Sequence, residues 1–403
     1  MANTTSPANP EIWSSLLEQG LRKSTIFREF CSFKEEKGLS YGDVINRPHS
    51  SDISVDAYVA GTASTAQDIT ITANQLTINK FNIINVYIDD TEEIQSKYAL
   101  MAHYVDKMRK ALAEDHDIHA LLEIKNAVSD VDDNDMAVGT SGDPFLVTES
   151  NINAVFTTAG RKLNENNATD GKRFAVITPL VYQKLLTYVG GKDTVFGDKV
   201  TQFGYPSKGS FNDFTVYMSN QLPYSNFWTP INNPTDGATL TIDSVVFTFV
   251  DTIGVTAGNV HIGSATSDTL DNLVGLINSG GVTTDSGVSN VSLSTANKRK
   301  VRQWLAVDGA TIMTVYVGGK SANVVVATSE ALDSWDTGTI HQFFGEVGCV
   351  DMVVQKGINV KMSDQVANGK LGTTNLVNSM FGVKTFYEGT YRMVDVKVSS
   401  SST

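Results

Sequence analysis

The sequence predicts a chain of mixed α and β structure, an α+β fold, and three observations point there. Ile94, Tyr98, Met101, Val105, Met108 and Leu112 follow a 4-3-4-3-4 spacing, the apolar seam of one long amphipathic helix. Ile53, Val55 and Ala57, then Ile69, Ile71, Leu76 and Ile78, alternate with polar residues as half-buried strands do. Between residues 229 and 337 the chain is rich in Thr, Ser, Val and Gly, with strand candidates at 239–250, 311–317 and 323–328. A length of 403 residues exceeds one ordinary core and suggests two or three domains, and 41% hydrophobic residues suffice to fill them.

The first element is a helix over 10–30. Asn9 can cap it, Pro10 sits where a missing N–H costs nothing, and Ile12, Trp13, Leu16, Leu17 and Leu21 share a face. One helix ahead of any domain cannot bury that stripe and must dock on the body or on another subunit. The alternating runs within 41–88, separated by Gly61 to Ala66, read as an extended two-stranded excursion with little core of its own. Such an excursion is expected to lie on a neighbour. The long helix follows over 89–128, with Asp89, Asp90, Glu92 and Glu93 at its positive end. At 1.5 Å per residue it would span roughly 55 Å, more than a compact domain needs. The stripe meets Asp115 and His119 and reappears shifted at Ile118, Leu121 and Leu122, so a kink or break is expected there. A helix over 152–163, a strand at 174–178, a short helix opened by Pro179 and a strand at 214–219 come next. Within the β-rich stretch, Leu270, Leu273, Val274 and Ile277 give one helix stopped by Gly280.

Composition and motifs exclude more than they assign. The 31 basic against 44 acidic side chains give a net charge of −13, which argues against autonomous binding to nucleic acid or anionic membrane. Met1 to Pro10 lack the basic-then-apolar order of a secretory signal, and no apolar run approaches a membrane span, so a soluble chain is expected. Cys31 and Cys349 read as two buried thiols. Gly319-Lys320-Ser321 resembles the end of a phosphate-binding loop, but Thr314 stands where its first glycine belongs, and a hairpin turn is the better reading. Asp130, Asp132 and Asn134 start like a calcium loop that fails at Asp135 and Ser141, leaving a solvated acidic connector. Glu114, Asp115, His116, Asp117 and His119 form one carboxylate–histidine cluster, read as a solvated helix face. Lys298, Arg299, Lys300 and Arg302 beside Trp304 are read as a solvated basic segment rather than a nucleic-acid contact. No catalytic residue, cofactor-binding residue or metal ligand is assigned, and no cofactor is expected.

Several phrases in order resemble the major capsid (coat) proteins of tailed bacteriophages, the Hong Kong 97-type fold, in the subgroup with an inserted domain. They are Pro10-Glu11-Ile12-Trp13-Ser14 with Leu21-Arg22-Lys23; Tyr41-Gly42-Asp43; Leu76 to Ile88 with Asp89-Asp90; and Asn151 to Asn166. Gly171 to Pro179, Phe214 to Pro223 with its Ser219-Asn220-Gln221-Leu222-Pro223 ending, and Phe381-Gly382-Val383-Lys384 complete the set. The approach Gly204 to Gly209 departs from the usual glycine-rich form. The resemblance implies an N-terminal arm (1–40), an extended loop (41–88), a peripheral domain with a spine helix (89–170), and a first axial part (171–228). An inserted β-rich domain (229–337) and a closing axial and peripheral segment (338–403) follow. It further implies a structural, non-enzymatic protein whose hexamers and pentamers close into an icosahedral shell around double-stranded DNA. Assembly would take place in the bacterial host cytoplasm. Implied partners are copies of itself, scaffolding protein, portal and a decoration protein, with packaged DNA met only non-specifically and no membrane. The assembly-contact candidates are Ile12, Trp13, Leu16, Leu17, Leu21, Ile53, Val55, Ile69 and Ile71. Some family members crosslink subunits through Lys and Asn; Lys80 lies near the loop's end, but no crosslink is expected. The alternative reading is another virion surface protein, a tail protein or adhesin, whose insertion binds a host receptor.

Overall fold

The computed structural model describes residues 23, 25–34, 44–57, 60–61, 63, 66–95, 100–136, 143–168, 171–191, 209–280, 284–285, 288–309, 311–320, 324, 326–330, 334–335, 338–365 and 369–399. Within the expected first helix, only Phe27–Phe30 is described as helical, and the strand Cys31–Ser32 follows directly.

The long amphipathic segment becomes a helix Asp90–Gln95 and a helix Leu100–Leu121, continued by a 3-10 turn at Leu122–Asn126. The expected break at Asp115 and His119 is absent: the α-helix continues to Leu121 and only then tightens into the 3-10 turn. It continues because it enters the core there: Asp115, His116, Asp117 and His119 are buried along with Ile118, Ala120 and Leu121. The sequence stripe shifts because the helix changes from one covered face to several. Its earlier part lays Val105, Met108 and Leu112 on a four-stranded sheet, against Ile84, Val86, Ile358, Val360 and Val377. That sheet has the order Cys31–Ser32, Val350–Asp364, Gly372–Lys384, Lys80–Asp89.

A ten-stranded sheet forms the centre. Its main path runs Trp304–Asp308, Met313–Val317, Tyr224–Thr229, Thr339–Glu346, Arg173–Ile177, Phe214–Met218, Gly209–Phe211. Met393–Ser399 also pairs with Thr339–Glu346 and carries Ser129–Val131 on its other side. Helices Ile152–Glu165 and Pro179–Gly190 cover one face, packing Val155, Phe156, Leu163, Val181 and Leu185 against Phe214, Phe344, Val394 and Val396. The other face meets the long helix and the N-terminal segment through Phe30, Leu121, Phe174 and Phe343.

The 229–337 stretch contains a second four-stranded sheet, Asn259–His261, Val245–Val250, Thr239–Ile242, Val326–Thr328. The predicted single run at 239–250 is a tight hairpin, because Asp243 and Ser244 both take positive φ (43° and 65°), the two-residue turn whose twist matches paired strands. Helix Thr266–Ser279 packs Leu270, Leu273, Leu276 and Ile277 on this sheet and ends at Gly280, whose φ of 60° is left-handed. Three strands of the stretch join the central sheet: Met313–Val317 pairs with Tyr224–Trp228 and carries Trp304–Asp308, and Ser334–Trp335 pairs with Trp228 and Thr229. One apolar core therefore joins Trp228 and Ile340 to Phe247 and Leu273.

Several local readings change in three dimensions. Gly319 is not a hairpin turn between strands 313–317 and 326–328, which pair with different neighbours. Instead Gly318 crosses the long helix so closely that a Cβ would stand 2.5 Å from Ile118. Trp304 is buried in the core, so it cannot stack on a nucleic acid beside Lys298–Arg302. The acidic run is pinned rather than solvated: Lys162 pairs with Asp135 at 2.6 Å, Lys397 pairs with Asp130, and Asp132 is buried. Cys31 and Cys349, distant in sequence, are both buried free thiols beside one another, since Cys31 pairs with Val350. Burial raises the pKa of both, that of Cys349 to about 12. No helix among the described residues is long and apolar enough to cross a membrane.

Candidate assembly surface

The hairpin of Val44–Ser50 and Ile71–Thr77 is a separate two-stranded sheet, in register from Val44 opposite Thr77 to Ser50 opposite Ile71. Two strands carry too little apolar surface to hold themselves together, so its position depends on its base. There Leu76 is fully buried with Ile78, Val353 and Phe386, and Ile45 packs against them. Arg47 donates to Asp351 at 3.1 Å while its guanidinium lies 4.0 Å over the Phe386 ring. His49 stacks on Tyr387 with ring centroids 4.0 Å apart. These contacts link positions some 300 apart in sequence, and no local signal in the sequence marks them.

Beyond His49 the hairpin leaves the body. Ser54 donates its N–H to Gln67 Oε1 (3.1 Å), and Gln67 Nε2 donates back to the Ser54 carbonyl (2.7 Å) and to Asp56 (3.0 Å). Ser51 and Thr70 close the ladder below. The tip is thus ordered by polar cross-links while its aliphatic groups face outward: Ile53 is 71% exposed, Val55 99%, Ile69 56% and Ile71 72%. Large aliphatic side chains on one protrusion, with Asp52, Asp56 and Asp68 between them and no cation, form an unpartnered patch. The sequence-predicted contacts Ile12, Trp13, Leu16, Leu17 and Leu21 lie outside the described residues.

The N-terminal segment enters across the long helix. Lys23 donates its N–H to Glu114 (2.9 Å) and its ammonium to the Gly319 carbonyl (2.5 Å). Asp117 Oδ1 accepts from the N–H groups of Ile26 (2.9 Å) and Phe27 (2.7 Å). Burial pushes the Asp117 carboxyl up to about 7, against the pull of those two donors. The neighbouring cluster is likewise internal. Asp115 accepts from the Asn82 amide and from Arg302 (2.6 Å), and His116 Nε2 lies 3.1 Å from Ser379 Oγ. Burial lowers the His116 pKa to about 4 and that of His119 well below its ordinary value. A solvated face was expected; these groups instead join the helix to the sheet and to the segment bearing Arg302.

One constellation has the composition of a nucleophilic triad. His341 Nε2 lies 2.6 Å from Ser225 Oγ, and its Nδ1 is 2.7 Å from Asp395. All three are buried on adjacent central strands, and Ser225 sits mid-strand, pairing with Tyr316 on one side and Thr339 on the other. A nucleophile needs an approach for substrate and donors for an oxyanion. Ser225 is only 2% exposed, so the relay braces three strands. Among the described residues no three His, Cys, Asp or Glu side chains are grouped to share a metal ion.

No family model and no curated protein sequence matches this chain. Solved structures do match. One from Mycobacterium phage Che8 superposes with a TM-score of 0.57 at 13% identity, covering 96% of each chain. The capsid structure of the cyanophage P-SCSP1u superposes with a TM-score of 0.54 at 15% identity, covering 98% of this chain and 94% of that one. Over nearly its whole length the chain thus shares its fold with solved phage capsid structures.

Proposed function

We propose that this chain is a structural major capsid protein, with many copies closing into an icosahedral shell around double-stranded phage DNA. The observation that carries the reading is the projecting hairpin, anchored at its base and apolar at its tip, on a chain with a capsid fold. A protrusion held out by Leu76 and Arg47 exposes Ile53, Val55, Ile69 and Ile71 at a cost that only a covering surface repays. The covering surface is a second copy of the chain, and the arm residues Ile12, Trp13, Leu16, Leu17 and Leu21 dock in the same way. Shell stability then comes from many modest contacts closed by symmetry.

In this reading 1–40 is the arm, 41–88 the extended loop, 89–170 the peripheral part and 171–228 with 338–403 the axial part. Residues 229–337 are the insertion, sharing strands and core with the axial sheet. The protein has no catalytic role; it is made in the host cytoplasm and resides in the virion capsid. Scaffolding protein, portal and a decoration protein are its proposed partners beyond its own copies. Electron microscopy of the purified chain, alone and with a candidate scaffolding protein, tests the proposal. Closed shells or capsomer rings are expected, and a stable monomer under all assembly conditions refutes it.

A further inference from the structure

A cavity of about 320 Å³ opens where three parts of the chain meet. Asn79–Asn82 at the start of an edge strand form one wall. The end of helix Thr266–Ser279 with Gly280 forms another, and Lys298, Val301 and Arg302 close it over His119. Three cationic side chains line it: Lys80, Lys298 and Arg302. Against them stand two carboxylates: Asp115, which accepts from Arg302 at 2.6 Å and also from Asn82, and Glu123, which acts on Lys80. The exposed carbonyls at the helix C-terminus add only about half a negative charge. Lys80 is half-buried with no ion pair to a carboxylate among the described residues, and burial lowers its pKa more than the fields of Asp115 and Glu123 raise it. Phe81, Ile277 and Val301 make part of the wall apolar, which strengthens any ionic contact inside.

A half-buried ammonium without a direct ion pair costs free energy that a contacting anion would recover. The volume lies near the lower end of ligand pockets, about 300–1,000 Å³. We propose that this cavity is a binding site for an oxyanion of the phosphate class, gripped by Lys80, Lys298 and the free donors of Arg302. Bound there, the anion ties the strand carrying Lys80 to the short helix Thr295–Val301 that carries Lys298, and so fixes the 229–337 segment against the long helix. The inference stands whether or not the chain forms shells. The phosphate can be free in solution or part of a nucleic-acid backbone.

The test is calorimetric titration of the full-length chain with inorganic phosphate, against chloride at equal ionic strength. One phosphate per chain is expected. Lys298→Gln and Lys80→Gln should each weaken binding about tenfold, the worth of one charge-assisted hydrogen bond. Arg299→Gln, on the same helix but outside the cavity, should bind as the parent does. Lys298 is exposed, so its variant folds and keeps the test decisive even if Lys80→Gln destabilises the chain. No saturable heat with either phosphate or DNA, or binding unchanged in Lys298→Gln, overturns the proposal. An equal loss in Arg299→Gln also overturns it, because it marks diffuse attraction. A second titration with a short DNA duplex assigns the source. Binding that depends on Lys298 and is competed by phosphate places a phosphodiester in the site; phosphate binding without competition by DNA supports the free anion.

Discussion

Replacing Ile53 and Val55 together by Asp probes the proposed assembly surface without touching the folded subunit. Both side chains project from the hairpin tip, 71% and 99% exposed, so the substitutions remove almost no intramolecular contact. Subunit stability should change by less than about 0.5 kcal/mol. Covering them in a neighbour's groove recovers roughly 1.5–3 kcal/mol for each fully buried side chain. Scaled by their exposure, the pair contributes about 2.5–5 kcal/mol per contact, or roughly seventyfold to five-thousandfold in association. Two added carboxylates beside Asp52, Asp56 and Asp68 widen the gap. The concentration at which shells form, read by sedimentation and electron microscopy, should rise at least a hundredfold while the thermal midpoint stays put. Assembly at the parental concentration would refute the argument that the tip is an interface. A lowered thermal midpoint would show that the tip packs within its own subunit.

Four further outcomes follow from the same geometry. Leu76→Ala should cost about 2–5 kcal/mol and release the hairpin base, seen as faster proteolysis between residues 50 and 70. Removing residues 1–22 should leave a folded subunit that assembles poorly. A cut at residue 30 also removes Phe27 and Phe30 from the core, and Phe30→Ala alone should cost about 3–5 kcal/mol by denaturant unfolding. Two opposed contributions to the pH profile share one window and largely offset each other. Asp117 has a folded pKa of about 7 against 3.8, so the folded chain keeps a proton the unfolded one releases, and stability falls as pH rises through that window. His116, lowered to about 4 from 6.5, has the reverse effect, and stability falls as pH drops from 6.5 towards 4. Asp117→Asn keeps the acceptor for Ile26 and Phe27 and removes the first contribution, so the thermal midpoint should rise more steeply with pH between about 4 and 6.5; an unchanged profile would contradict that assignment. Residues 229–337 expressed alone should show dispersed amide signals from the Leu240, Phe247 and Leu273 core. They should also self-associate through the unpaired edge of Met313–Val317, and a disordered spectrum would rule out an inserted domain.

Most of the element order is legible in the chain because it rests on local periodicity. The helix at 152–165 and the helix stopped by Gly280 follow from apolar spacing and a left-handed cap. Pro179 opens its helix because it needs no N–H donor there. The hairpin aliphatics were legible as an alternating pattern too thin to make a core. The misread positions share one cause. Asp115, His116, Asp117 and His119 look solvated on a helical wheel, yet the first three bond Arg302, Ser379 and the N–H groups of Ile26 and Phe27, 90 or more positions away, and His119 packs on Phe381. Arg47, His49, Ser225, His341 and Asp395 were missed for the same reason.

The sequence by itself determined that the chain is α+β and that the aliphatic residues of its hairpin alternate too thinly to make a core of their own. Those properties are set by neighbours three, four or two positions apart, and by counts of side chains. Tertiary structure alone decided where the hairpin is anchored and that the 229–337 stretch shares strands with the central sheet. It also decided that three unpaired or partly paired cations converge on one cavity. Each of those depends on groups brought together across the chain, where burial makes a charge or a donor demand a partner that no local spacing can announce.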